Sequence, residues 1–186
     1  MDIEQARFNM VEQQVRPWEV LDPKVLDLLF KVRREDYVPP VYRSLAFVDM
    51  EIPLGHDEAM WAPKIEARAL QALQVKPHER VLEVGTGSGY FTALLASQAG
   101  VVVTRGVARR SQGPGRAEIP RPWPDQYPDP AGRCRPGLDR DDGAFDVIVL
   151  TGSTPLLAGS LPQASEPRWD ACSPWWARAS SCPRAW

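Results

Sequence analysis

The chain has 186 residues, 22 basic and 24 acidic side chains, a formal net charge of −2 and 44% hydrophobic residues. That is the length of one domain with material for a core, and the near-balanced charge gives no electrostatic footprint for nucleic acid or an anionic membrane. No apolar run reaches the roughly 18 residues that a membrane span needs, and the polar opening Met1-Asp2-Ile3-Glu4-Gln5 is no signal peptide, so a cytoplasmic protein without membrane or nucleic-acid partners is expected.

Phe8, Val11 and Val15 recur at helical spacing as far as Pro17 and predict a first helix. Asp22-Pro23 has the form of an N-cap followed by proline at the first helical position. Leu21, Val25, Leu28, Leu29 and Val32 then form one apolar face. Residues 34–63 carry several prolines and aromatics with little periodicity and read as an ordered connection. Ile65, Ala69, Leu70 and Leu73 predict a third helix. Pro77-His78-Glu79 is a turn, Arg80 to Val84 a short strand, and Tyr90 to Gln98 a helix closed by Gly100. Val101-Val102-Val103 supplies a second strand.

Between that first strand and its helix runs Glu83-Val84-Gly85-Thr86-Gly87-Ser88-Gly89-Tyr90. Glycines at i, i+2 and i+4 let the chain turn sharply after a buried strand and let a ligand approach the backbone. The dinucleotide fingerprint places its third glycine one residue later. With Glu83 before it, the loop suits the amino-acid end of S-adenosylmethionine: the ligand's ammonium meets the carboxylate, and its carboxylate meets backbone N–H groups. The bland alternative is a glycine-rich turn that holds nothing.

The second half reads differently. All four lysines precede residue 77, while 12 of the 19 prolines and five of the seven tryptophans follow residue 100. Cys134, Cys172 and Cys182 have no metal-type spacing, so reduced thiols and no metal site are expected. Between Tyr90 and Ala117 there is no acidic residue, and Pro120, Pro122, Pro124, Pro128, Pro130 and Pro136 forbid a regular helix or a central strand. Residues 105–143 therefore read as a long structureless insert, which argues against a simple compact fold.

Several segments together resemble a family. Met10 to Arg16, Arg33 to Pro39, Tyr42 to Phe47 and Ile52 to His56 resemble the opening of bacterial protein-L-isoaspartate O-methyltransferases. Phe145 to Thr151, followed by Gly152-Ser153-Thr154-Pro155, resembles that family's fourth strand and loop. The resemblance covers about residues 8–100 and 144–161. It implies an α/β fold, a Rossmann-like S-adenosylmethionine-dependent methyltransferase core behind an N-terminal helical cap, incomplete as written. It divides the chain into a cap and connecting segment at 1–76, a partial cofactor-binding core at 77–161 and an aberrant tail at 162–186. It also implies methyl transfer to the carboxylate of an isoaspartyl residue in a damaged peptide, a repair reaction. The cofactor-binding residues are then Glu83, Gly85, Thr86, Gly87, Ser88 and Gly89, with Thr151 and Gly152 after the fourth strand. No side chain is assigned a catalytic role. His56, beside Gly55, reads as structural, because a carboxylate acceptor has no proton to lose.

Two departures bear on activity. Where the family carries a serine that contacts the isoaspartyl substrate, this chain reads Ala59-Met60-Trp61-Ala62-Pro63, with Trp61 at the serine position. The indole has a single N–H donor and no acceptor. Trp61 reads either as filler of the interface between cap and core or as a platform for a changed acceptor. The second departure is the missing acid at the end of strand two, about twenty residues past the first glycine, where ribose hydroxyls are held.

Arg, Pro, Ala, Gly and Trp all have GC-rich codons, so their joint excess suggests an out-of-frame reading. A one-nucleotide shift over residues 105–107 permits a valine-glutamate pair near the missing acid. The same shift over 123–139 permits a stretch resembling the family's third strand and adenine loop. A two-nucleotide shift over 169–178 permits one resembling its fifth strand. The frame is then lost near 103, regained near 144 and lost again near 161; a natural insert with a disordered tail is the alternative. Three functional readings stay open: the isoaspartyl methyltransferase, an inactive remnant, and a methyltransferase of the same fold with a different acceptor.

Overall fold

The computed structural model describes residues 2–55, 58–105, 134–136, 145–151 and 176–178. His56, Gly152 and most of the two aberrant stretches lie outside them. Helix α1, Ile3–Met10, opens on Asp2, whose carboxylate accepts from the N–H groups of Glu4 at 3.1 Å and Gln5 at 3.2 Å. It runs on as a wider turn over Val11–Val15 and a tight one over Arg16–Trp18. Arg7, Met10, Val11 and Val15 face inward, whereas Phe8, expected on the apolar face, is 50% exposed.

Helix α2, Pro23–Lys31, starts as the sequence indicates, with Asp22 accepting from Lys24 N–H at 2.9 Å. Val25, Leu29 and the following Val32 are buried, but Leu21, before the cap, points outward. Residues 34–63 hold two tight turns and a hairpin of β1, Ile52–Gly55, and β2, Glu58–Met60. The periodicity shows nothing of this hairpin, because Pro53 and Gly55 interrupt it. Helix α3, Pro63–Leu73, buries Ala67, Ala69, Leu70 and Leu73; Ile65 is more exposed than expected, and Glu66 is buried in its place.

The sheet consists of β3 (Arg80–Val84), β4 (Val101–Arg105), β5 (Cys134–Pro136), β6 (Val147–Leu150) and β7 (Trp176–Arg178), in the order β5-β4-β3-β6-β7. Its centre is β3, Arg80–Val84, parallel to β4, Val101–Arg105, and to β6, Val147–Leu150. Val81, Val102, Val147 and Val149 join the main core with Leu70, Leu73, Leu94 and Leu95. Leu82, Val103 and Ile148 alternate to the other face, beside Phe145. Helix α4, Tyr90–Ala96, packs on the first face, and Gly100 lets the chain pass under the turn before β3.

Strands three and five of such a sheet have no clear sequence, yet their places are taken. Strand β5, Cys134–Pro136, pairs parallel to β4, and β7, Trp176–Arg178, pairs antiparallel to β6. Within the stretch read as a structureless insert, Cys134–Pro136 thus forms a strand; the rest of that insert beyond Arg105, and the aberrant tail apart from Trp176–Arg178, lie outside the described residues. Both trios stand at sheet edges, where any extended segment can satisfy the open backbone groups and proline is tolerated.

Candidate functional site

Glu83 leaves β3 on the face that carries α4, in register with Thr104 of β4 and Val149 of β6. Its side chain is completely buried. Oε2 accepts from Thr104 Oγ1 at 2.7 Å and from the Thr92 hydroxyl on α4. The Thr86 and Thr104 hydroxyls are 2.6 Å apart, which extends the network into the glycine loop. Oε1 has no partner among the described residues. Burial pushes this carboxyl up to about 7, against the pull of its two hydroxyl donors.

The loop after β3 turns through three left-handed glycines, Gly85 at φ 109°, Gly87 at 52° and Gly89 at 84°. Gly89 N–H closes the turn on Thr86 O at 2.9 Å and Gly89 caps α4. Thr151 at the end of β6 fixes the other side. Its N–H donates to Val84 O at 2.9 Å, and its hydroxyl donates to the Gly85 carbonyl.

These residues border a cavity that opens to solvent, with about 290 Å³ of empty space once that open solvent is included. Glu83, Gly85, Thr86, Gly87, Ser88 and Thr151 line one side, so six of the eight positions read from the sequence converge. Gly89 stands behind them as the helix cap. Ala59, Met60, Trp61, Glu66 and Phe91 complete the lining. The Trp61 ring packs on Phe91 of α4 with centroids 5.6 Å apart, so it bridges the N-terminal segment and the core while facing the cavity. Glu66 is paired with Arg34, and burial pushes its carboxyl up to about 7 against that pairing.

Sequence reasoning missed Thr92, Thr104, Glu66 and Arg34. A lone acid within an apolar helix face was the available signal for Glu66. Among the described residues no cluster of three or more potential metal ligands occurs.

A family model described as protein-L-isoaspartate(D-aspartate) O-methyltransferase matches residues 6–110, more than half of the chain. The chain belongs to this family. Curated family members named protein-L-isoaspartate O-methyltransferase include one from Aeropyrum pernix, 37% identical over 82% of this chain. A second, protein-L-isoaspartate O-methyltransferase 1 from Rhodopseudomonas palustris, is 45% identical over 83%. A third, from Methanoculleus marisnigri, is 32% identical over 83%. The chain spans 53%, 63% and 70% of their respective lengths. Among solved structures, a Plasmodium falciparum protein described as a protein-L-isoaspartate O-methyltransferase, in complex with S-adenosyl-L-homocysteine, superposes with a TM-score of 0.52. That match covers 80% of this chain and 72% of the other at 17% identity, and it shows the methyltransferase fold.

Proposed function

We propose that this family member binds S-adenosylmethionine over the glycine loop and transfers its methyl group to an isoaspartyl carboxylate in a damaged peptide. The observation that carries the reading is Glu83 Oε1, a buried carboxylate oxygen without a partner among the described residues, on a cavity lined by the glycine loop. Buried acceptors are satisfied in native structures, and the missing partner here is a donor of opposite charge. The amino-acid ammonium of the cofactor has that chemistry, and the left-handed glycines leave backbone N–H groups open to its carboxylate.

When bound, the cofactor supplies an electrophilic methyl group. The chain's own contribution is alignment: Glu83 and the loop hold one reactant while Met60, Trp61 and Phe91 exclude water from the contact. A carboxylate acceptor is deprotonated at neutral pH and needs no base. Trp61 on the cavity wall supports a second reading, transfer to a different acceptor. No described helix is long and apolar enough to cross a membrane, and a cytoplasmic setting belongs to this proposal.

Titration with S-adenosylhomocysteine, followed by heat or thermal shift, tests the assignment. Saturable binding is expected, weaker than micromolar, and Glu83→Gln should weaken it at least about tenfold, the loss of one charge-assisted hydrogen bond. Absence of saturable binding, or equal binding by Glu83→Gln, sinks the assignment.

A further inference from the structure

We propose that Arg34, a residue of the N-terminal segment that does not line the cavity, is the positioning residue that sets the Trp61 and Glu66 lining of the cavity against the glycine loop. Its guanidinium is fully buried. The fixed fork of donors reaches three partners at once. Nε donates to Ala46 O at 2.9 Å, Nη2 to Trp61 O at 2.6 Å, and Nη1 pairs with Glu66. The same group lies over the Tyr90 ring, 5.0 Å from its centroid. Trp61 and Glu66 belong to the cavity wall, and Tyr90 is the first residue beyond the glycine loop. One side chain thus ties the connection before α3, the first turns of α3 and the start of α4 to the N-terminal segment.

The bonds are directional, and that separates Arg34 from ordinary filler. The Trp61 carbonyl is held while its ring leans on Phe91, so the position of the indole follows from the guanidinium. Electrostatics adds a second consequence. Glu66 and Glu83 are the two acids among the described residues of the cavity wall, and Arg34 balances the first of them. An anionic acceptor then approaches a wall with one unbalanced acid, itself matched by the cofactor's ammonium. This consequence rests on the methyltransferase reading; the positioning role does not.

A buried ion pair replaced by apolar residues of similar volume often leaves stability unchanged or raised. Arg34→Met/Glu66→Leu in the full chain therefore separates positioning from stability. The expected result is a thermal midpoint close to the parent's, with amide exchange across Glu58–Trp61 at least tenfold faster and that of β3 unchanged. S-adenosylhomocysteine affinity should fall at least tenfold in the same variant. Arg34→Lys, which keeps a charge for Glu66 but cannot span the Ala46 and Trp61 carbonyls, should show the same local loosening; it serves if the double variant fails to fold. Parent-like exchange over 58–61 in a folded variant overturns the proposal. A parent that binds no S-adenosylhomocysteine removes the methyltransferase reading, while the exchange comparison still decides the role of Arg34.

Discussion

At the scale of single residues the proposed reading turns on Glu83 for the cofactor and on Trp61 for the acceptor. Glu83 is an acid raised from an ordinary value near 4.5 to about 7 by burial. It holds a cation only when ionised, so S-adenosylhomocysteine binding should be strongest above pH 7 and fall by up to about tenfold per unit below it. Ligand-free stability runs the other way. The folded state keeps a proton that the unfolded chain has released between about 4.5 and 7, so this group's contribution to stability is lost as pH rises through that window. Glu83→Gln should flatten both profiles, and a pH-independent affinity in the parent would remove the ammonium contact. Trp61 concerns the acceptor. A site without the family's hydroxyl leaves polar substrate atoms unpaired at about 1–3 kcal/mol, and the indole adds bulk. In a chain with its frame restored, methylation of an isoaspartyl peptide should be low with Trp61 and rise about tenfold in Trp61→Ser, measured as tritium transfer against the aspartyl twin. High transfer with Trp61 in place would show the serine to be dispensable.

At the scale of elements, the junction of α4 with β4 is closely constrained at Gly100. A Cβ on Gly100 would lie 2.9 Å from Pro77 O and 3.3 Å from the His78 carbonyl carbon, and neither backbone atom can swing aside. Gly100→Ala should therefore destabilise the fold by about 1–3 kcal/mol, the overpacking range, read as a denaturant midpoint. An unchanged midpoint would mean that the turn and strand separate easily. This region was legible in the sequence because its signals are local: a turn, an apolar strand, spaced glycines and a closing glycine. The Asp22-Pro23 cap was legible for the same reason. Phe8, Ile65 and Glu66 were not, because their burial is decided across the fold. The Arg34 guanidinium keeps Glu66 inside while neighbouring Ile65 turns out. The hairpin at 52–60 was hidden because a two-stranded ribbon with Pro53 and Gly55 has too few alternating positions. The glycine loop was legible as a stretch that now borders the cavity, whereas Thr92 and Thr104, ordinary residues of a helix and a strand, gained meaning only from the register that places them on Glu83.

The whole molecule sets an in-register centre against edges of a different character. Strands β3, β4 and β6 pair along runs of valine, leucine and isoleucine, as buried parallel strands should. Strand β5 carries Pro136, and β7 runs antiparallel, each only three residues long. The frame shifts permitted over 123–139 and 169–178 span these two trios, and the segments they permit resemble the family's third strand with its adenine loop and its fifth strand. Restoring the frame over 103–144 and after 161 would put an acid near the end of β4, within the region where ribose hydroxyls are held, and would supply the adenine loop. Each hydrogen bond to a charged group contributes roughly 1.5–3 kcal/mol. The restored chain should then bind S-adenosylhomocysteine at least about tenfold tighter than the chain as written. Calorimetry on the two proteins side by side reads this directly. Equal affinities would leave the insert as a natural part of the fold, as would peptide masses from native protein matching residues 105–143 as written. No binding by the restored chain would instead undermine the cofactor assignment at Glu83 itself.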